Sequence, residues 1–290
     1  MVETMSKGKR LLICYAHPDD ESFGLGALIA SHVAQGVEVY LICATSGEAG
    51  SMDASYIQQY GSIKATRLAE LECAVRVLGI RKLFLLGFRD SGMMNHADNQ
   101  HGDSLWSQWL HNPEEVVRSF VRVMRQVQPQ VIITFNEYGG YGHPDHIVCQ
   151  RATVAALQQV NDPDYHVDDL APYSPKKLYY STVAKMPMQI RIWQERFKGV
   201  DPSRAGRNHD VDLLAILDHM TAVTTHISIT KYLQAWDDAS NCHLSQGGAR
   251  IFLGFPLWLR RVLFRYQGFT RVVPAWQPNE TLETDLFAGL

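Results

Sequence analysis

The sequence predicts an α/β protein, a Rossmann-like and mostly parallel sheet flanked by helices, with a smaller irregular C-terminal region. Three observations carry this expectation. Short apolar runs alternate with helical patterns through the first 185 residues. The runs are continuous instead of alternating, as strands covered on both faces require. The two segments richest in His and Asp each follow such a run, where a strand gives way to a helix. They are Ala16-His17-Pro18-Asp19-Asp20-Glu21 and Gly139-Gly140-Tyr141-Gly142-His143-Pro144-Asp145-His146.

Residues 11–15 read as the first strand. Residues 23–35 carry Leu25, Leu28, Ile29 and Val33 at helical spacing, and 37–44 form a second strand. A long helix over 63–78 places Leu68, Leu71, Val75 and Leu78 on one side and stops at Gly79. Residues 82–86 are a third strand. The helix over 113–127 has Asn112 as N-cap and Pro113 at its first position, where proline's missing N–H costs nothing. A fourth strand (130–135), a helix (144–160) and a fifth strand (177–183) complete the regular part. The expected organisation is a Rossmann-like core of residues 1–185. Residues 186–290 pack on it and complete the site within one integrated domain. That second region reads as a helix over 213–225, a stretch over 231–241, and an apolar-basic run over 251–269.

Ligands of doubly wound sheets bind beyond the strand C-termini, where strand order reverses. In a 3-2-1-4-5 order, strands one and four are neighbours and the two His/Asp segments meet. The stretches 45–62 and 87–112 are too long for simple connectors and read as binding loops.

Composition narrows the partners. The chain has 290 residues, 46% hydrophobic and 20% charged, with a formal net charge of −3. This suits a soluble globular protein, and without a basic block nucleic acid is not an expected partner. The five cysteines, Cys14, Cys43, Cys73, Cys149 and Cys242, form no CxxC pair. They read as buried free thiols of a reducing cytosol. Residues 1–9 are polar, the run after them is too short for a signal sequence, and no stretch approaches ~20 apolar residues. The expected location is therefore cytoplasmic.

His17 and Asp20 lie three positions apart and project to one side of a first helical turn. With His146 they make a two-His, one-carboxylate set suited to Zn²⁺, with the fourth position left for water. A similar N/O site accepts Fe²⁺. Asp19, beside this set, is the natural general base. His143 is placed to stabilise an oxyanion or protonate a leaving amine. Asp145 could orient an imidazole, and Tyr141 in its glycine-rich loop could donate to an oxyanion. The competing reading of each Asp is a helix cap or dipole partner. Two such segments after two strands of a βα repeat favour the metal site.

At these residues the chain resembles the LmbE/PIG-L family of zinc-dependent N-acetylglucosaminyl deacetylases. The resemblance extends to Gly24 and Gly26, Thr45-Ser46-Gly47-Glu48, Arg67 and Glu70, Asp90-Ser91-Gly92-Met93, and His243-Leu244-Ser245-Gln246. It implies a metal at the strand ends held by His17, Asp20 and His146, with Asp19 as base and His143 tuned by Asp145. It also implies sugar or aglycone contacts from Arg67, Asp90 and Glu48. Asn136-Glu137-Tyr138 departs from the family, which often has Asp-Pro or His there, so contacts near the aglycone differ. His243 reads as a structural or exposed histidine, with entry into the active site of its own or a neighbouring subunit as the alternative, and a homo-oligomer is compatible with that.

The expectation is a zinc enzyme that removes the N-acetyl group from a small amino-sugar substrate. Two alternatives remain open, a zinc amidase for a larger amide of a sugar–thiol conjugate and a non-catalytic sugar-binding module. The run 251–269 offers membrane contact as an interfacial helix, or packing against the domain.

Overall fold

The computed structural model describes residues 8–182, 185–206, 209–249 and 257–290. In the first half, strands β1 (Arg10–Tyr15), β2 (Glu38–Thr45), β3 (Lys82–Phe88) and β4 (Val131–Thr134) alternate with helices α1 (Asp20–Ala34), α2 (Ala54–Tyr60), α3 (Ile63–Leu78), α4 (Leu105–His111) and α5 (Pro113–Val127). A kinked single turn, α6 (Gly139–Gly142), leads into α7 (Pro144–Gln159) and β5 (Lys177–Thr182). The remainder holds α8 (Lys185–Phe197), α9 (Leu213–Asp218), β6 (Thr225–Ser228), α10 (Leu233–Ser240), α11 (Leu257–Leu263) and β7 (Tyr266–Val273).

The seven strands form one sheet in the order β3-β2-β1-β4-β5-β7-β6. The first five are parallel, and β7 pairs antiparallel with both β5 and β6. Strands β1 and β4 are neighbours with Leu11 opposite Val131, which brings their C-terminal ends side by side. Leu11 to Cys14 and Val131 to Ile133 are fully buried, as continuous apolar strands must be between two helical layers. Helices α1, α3 and α10 pack on one another, as do α4, α5 and α7.

The irregular C-terminal part holds more order than its sequence suggests. β6 and β7 extend the sheet past the fifth strand, and α8 forms where no element is predicted. The expected helix over 213–225 ends at Asp218, and Thr225 already belongs to β6. The run 251–269 is not one helix. Its residues 251–256 lie outside the described residues, α11 takes 257–263, and β7 carries the rest with Phe269 fully buried in the sheet. The polar residues 1–7 also lie outside the described residues. No described helix is long and apolar enough to cross a membrane.

One expectation is overturned outright. Cys73 on α3 and Cys242 just after α10 form a disulfide across 169 residues of sequence. Only Cys14, Cys43 and Cys149 are free, and all three are buried. Sequence spacing cannot reveal a pairing between residues so far apart.

Candidate active site

The His/Asp segments leave β1 and β4 side by side and converge beyond the sheet. Asp19 opens α1 with φ 122° and ψ −27°, a backbone conformation that a side chain strains. Its carbonyl accepts the N–H groups of Ser22 and Phe23 at 3.0 and 2.8 Å, which starts the helix. That turn points Asp20 back toward His17, whose backbone N–H donates to Asp20 Oδ2 at 2.8 Å. On the second segment, Gly139 lies against the His146 ring. A Cβ there would stand 2.8 Å from His146 Cβ, and its φ is +68°. Only glycine lets this turn close on the histidine.

Three donor atoms face one point. His17 Nδ1 is 3.1 Å from His146 Nε2, His146 Nε2 is 3.3 Å from Asp20 Oδ2, and His17 Nδ1 is 3.6 Å from Asp20 Oδ2. Bonds of ~2.0–2.1 Å in a tetrahedral site set its ligands ~3.3–3.4 Å apart. The triangle fits that edge, so these residues could hold such an ion. The far side of each ring is already engaged. His146 Nδ1 donates to Gly139 O at 3.0 Å, and His17 Nε2 lies 3.2 Å from Asp145 Oδ2 and 3.4 Å from Asp90 Oδ1. Such outer partners fix the tautomer that a metal ligand needs. His143 also approaches His17 and His146 within 4.8 Å. Its Nδ1, however, accepts the backbone N–H of Asp145 at 3.2 Å. This leaves its Nε2–H as a donor.

The Asp145 carboxylate therefore orients His17, and it is the Asp145 backbone N–H that hydrogen-bonds to His143. Asp145 is itself held by the Ser91 N–H at 2.9 Å and by the Ser91 hydroxyl. Asp90 accepts the Gly92 N–H at 2.8 Å. Ser91 lies within the Asp90-Ser91-Gly92-Met93 motif, and nothing in its own position in the sequence foretells this hold on Asp145.

Asp19 is gripped by Arg67. Its Oδ2 accepts Arg67 Nη2 at 2.7 Å, while the same guanidinium donates to the carbonyl of Pro18 and to that of Gly47 at 3.4 Å. A Cβ at Gly47 would stand 2.8 Å from the guanidinium, so glycine makes room for it. Burial lifts the Asp19 carboxyl to about 6, with Arg67 opposing the shift and Asp20 adding to it. Burial also works against charge on Asp20, yet His146 and His17 hold it well below the carboxylate range. His143 is pushed well below its usual value by burial and then by the neighbouring rings. Burial raises the Tyr141 phenol, which stays protonated as a donor.

Two cavities flank the cluster. A polar one of about 690 Å³ is lined by His17, Asp19, Arg67, Asp90, His143 and Gln246, and also by Gly206, Asp210 and Val211. A second of about 330 Å³ touches Asp20 and His146. Tyr141 lines both. Glu48 lies beside the polar cavity without lining it. His243 lines neither of these cavities. It is fully buried, with Nε2 2.8 Å from Glu21 Oε1. Ser245 donates through N and Oγ to the Glu70 carboxylate at 2.8 and 2.7 Å, and Gln246 is thereby presented to the cavity. Asn136, in the segment that departs from the family pattern, bridges the Gly140 N–H and the His219 carbonyl at 2.8 and 3.1 Å.

A parallel sheet that gathers imidazoles and carboxylates beyond adjacent strand ends has the layout of a metal-dependent amide hydrolase. Comparison with known proteins refines the class. Residues 12–157 match the family described as PIG-L: GlcNAc-PI de-N-acetylase, and the chain belongs to that family. It is an N-deacetylase. The chain is 32% identical to a 1D-myo-inositol 2-acetamido-2-deoxy-alpha-D-glucopyranoside deacetylase of Streptomyces griseus, over 97% of this chain and 89% of that protein. It is 37% identical to the enzyme of the same name from Geodermatophilus obscurus, over 83% and 84%. The crystal structure of an N,N'-diacetylchitobiose deacetylase from Pyrococcus horikoshii shares the fold, with a TM-score of 0.61 and 21% identity, over 91% of this chain and 84% of that one.

Proposed function

We propose that the chain hydrolyses the acetamide of a 1D-myo-inositol 2-acetamido-2-deoxy-α-D-glucopyranoside, with Zn²⁺ held by His17 Nδ1, Asp20 Oδ2 and His146 Nε2. The observation that carries this reading is the triangle of donor atoms, 3.1, 3.3 and 3.6 Å on its edges, with Asp19 beside it. The near full-length relatives of that name supply the substrate. Fe²⁺ suits the same donors. When bound, the ion supplies Lewis acidity that polarises the amide carbonyl and acidifies water.

The side chains divide the remaining work. Asp19 accepts the proton of the attacking water, and Arg67 keeps its carboxylate aimed and prevents it from swinging toward Asp20. His143 Nε2–H and the Tyr141 hydroxyl are donors for the carbonyl oxygen as charge develops on it. Asp145, Asp90 and Ser91 hold the His17 ring in one tautomer. The C–N bond breaks, the proton held by Asp19 passes to the departing nitrogen, and acetate and a free amine remain. Arg67, Asp90 and Gln246 face the polar cavity, where sugar hydroxyls need partners.

The test is acetate release from this glycoside by protein of known metal content. Stoichiometric acetate and amine are expected, abolished by a chelator and restored by Zn²⁺ or Fe²⁺. A metal-loaded preparation that releases no acetate would refute the reading.

A further inference from the structure

The second cavity has no role in acetyl hydrolysis as described. It reaches the donor cluster through Asp20 and His146, whereas the polar one reaches it through His17. Its other walls are largely apolar. Tyr15 and Phe135 come from the ends of β1 and β4, Phe23 from α1, and Met188, Ile216 and Met220 from the α8–α9 region. Tyr15 and Phe135 stack at 4.3 Å, and Phe135 stacks in turn on His146 at 3.9 Å, so the apolar wall runs up to the donor cluster itself. Ile216 is 6% exposed and belongs to a small core with Ile192, Ala205 and Leu213, against which Met188 and Tyr141 pack. The roof of the cavity is therefore built, not a chance gap between loops.

An N-acylated amino sugar has two unlike ends. Its hydroxyl-bearing ring matches the polar cavity, and its acyl group points the other way from the scissile carbon. The molecule offers two unlike cavities that meet the donor cluster through different residues, with Tyr141 on the wall of each. A volume of about 330 Å³ lies within the range of small-molecule sites, and an acetyl methyl fills little of it.

We propose that this cavity is an acyl-chain site, and that the enzyme hydrolyses linear N-acyl groups of about four to six carbons on the same amino sugar. The inference rests on the amide-hydrolase reading above and extends it to the acyl side. Water adds to the acyl carbon, the C–N bond breaks, and the products are a short fatty carboxylate and the same free amine. No further reactant is needed.

The experiment measures kcat/KM for N-acetyl, N-propionyl, N-butyryl and N-hexanoyl forms of one glucosamine glycoside. Each methylene that enters the cavity is worth up to about fourfold, the equivalent of ~0.8 kcal/mol per buried CH₂. The expected series therefore holds or rises with length. A fall greater than about threefold at propionyl, with acetyl still released, overturns the acyl site and leaves the deacetylase reading standing. No hydrolysis of any member removes both. Ile216→Phe, which narrows the cavity from its roof, is expected to lower the hexanoyl-to-acetyl ratio of kcat/KM by about tenfold or more; an unchanged ratio overturns the site. Should that variant fail to fold, product inhibition of the wild type decides: hexanoate is expected to inhibit at lower concentration than acetate, and equal inhibition overturns the site.

Discussion

The ends of β1 and β4 and the C-terminal third of the chain meet at the same place and do different things there. The strand ends bring every candidate donor, His17, Asp20 and His146, and the proposed base Asp19, on turns so tight that a glycine must sit against His146. The C-terminal third brings walls and anchors. Gln246 and Asp210 line the polar cavity, and Met188, Ile216 and Met220 line the apolar one. His243 and Ser245 lock this region onto Glu21 and Glu70, and Cys242 bonds to Cys73. On the proposed reading, chemistry resides in two short turns at neighbouring strand ends, while selectivity resides in parts contributed by the C-terminal third. Substitutions in the first region should act on rate and metal content, and those in the second on stability and substrate choice.

The sharpest break of that contrast is Asp19→Asn. It should cost about 10²–10⁴-fold in kcat and leave metal content unchanged, because the general base is lost and no ligand is. Normal turnover, or metal loss in parallel, would place Asp19 in another role. Asp145→Asn tests the hold on His17. A loss of about 10–100-fold in metal affinity is expected, read by competition with a chelator. An unchanged affinity would mean that Ser91 and Asp90 suffice.

On the other side, Cys242→Ser should lower unfolding free energy by about 2–4 kcal/mol in denaturant. The reduced wild type should unfold like the variant. Identical midpoints for reduced and oxidised wild type would mean that the tether adds nothing. The smallest effect concerns the tail. Glu283 accepts Lys177 Nζ at 2.8 Å, the Tyr179 hydroxyl at 2.7 Å and Arg271 Nη1 at 2.8 Å. Burial opposes its charge, but these three donors hold its carboxyl below the usual value. A carboxyl depressed in the folded state stabilises above its unfolded pKa of ~4.3, and that contribution is lost as pH falls through the folded value. Glu283→Gln should therefore cost about 1–3 kcal/mol at neutral pH and progressively less in acid. A difference independent of pH would point to packing instead of charge.

The legible part of the molecule was the part whose contacts are local or periodic. The first five strands, α3, α5 and α7 follow from apolar period and caps, and the two motifs follow from their position after strands. β7 escaped because Gly268 and Arg271 interrupt it. Arg271 is buried in the sheet only because Glu280 and Glu283, further along the chain, pair with it. β6 is four residues long and has no periodic signature. The grip of Arg67 on Asp19 and of Ser91 on Asp145 depends on which loops face each other, which no spacing records. The disulfide is the plainest case, since five cysteines without a motif allow many pairings.

The backbone at Asp19 has a consequence for how this chain can change over time. At φ 122° an aspartate is held where glycine would rest without penalty, and such conformations cost ~1–3 kcal/mol. Replacing it by glycine would relieve that strain but leave the buried Arg67 guanidinium without its carboxylate, so the exchange should silence the protein without stabilising it. The posture at Asp19 and the guanidinium that holds it therefore depend on each other, and the two positions should tolerate change only together.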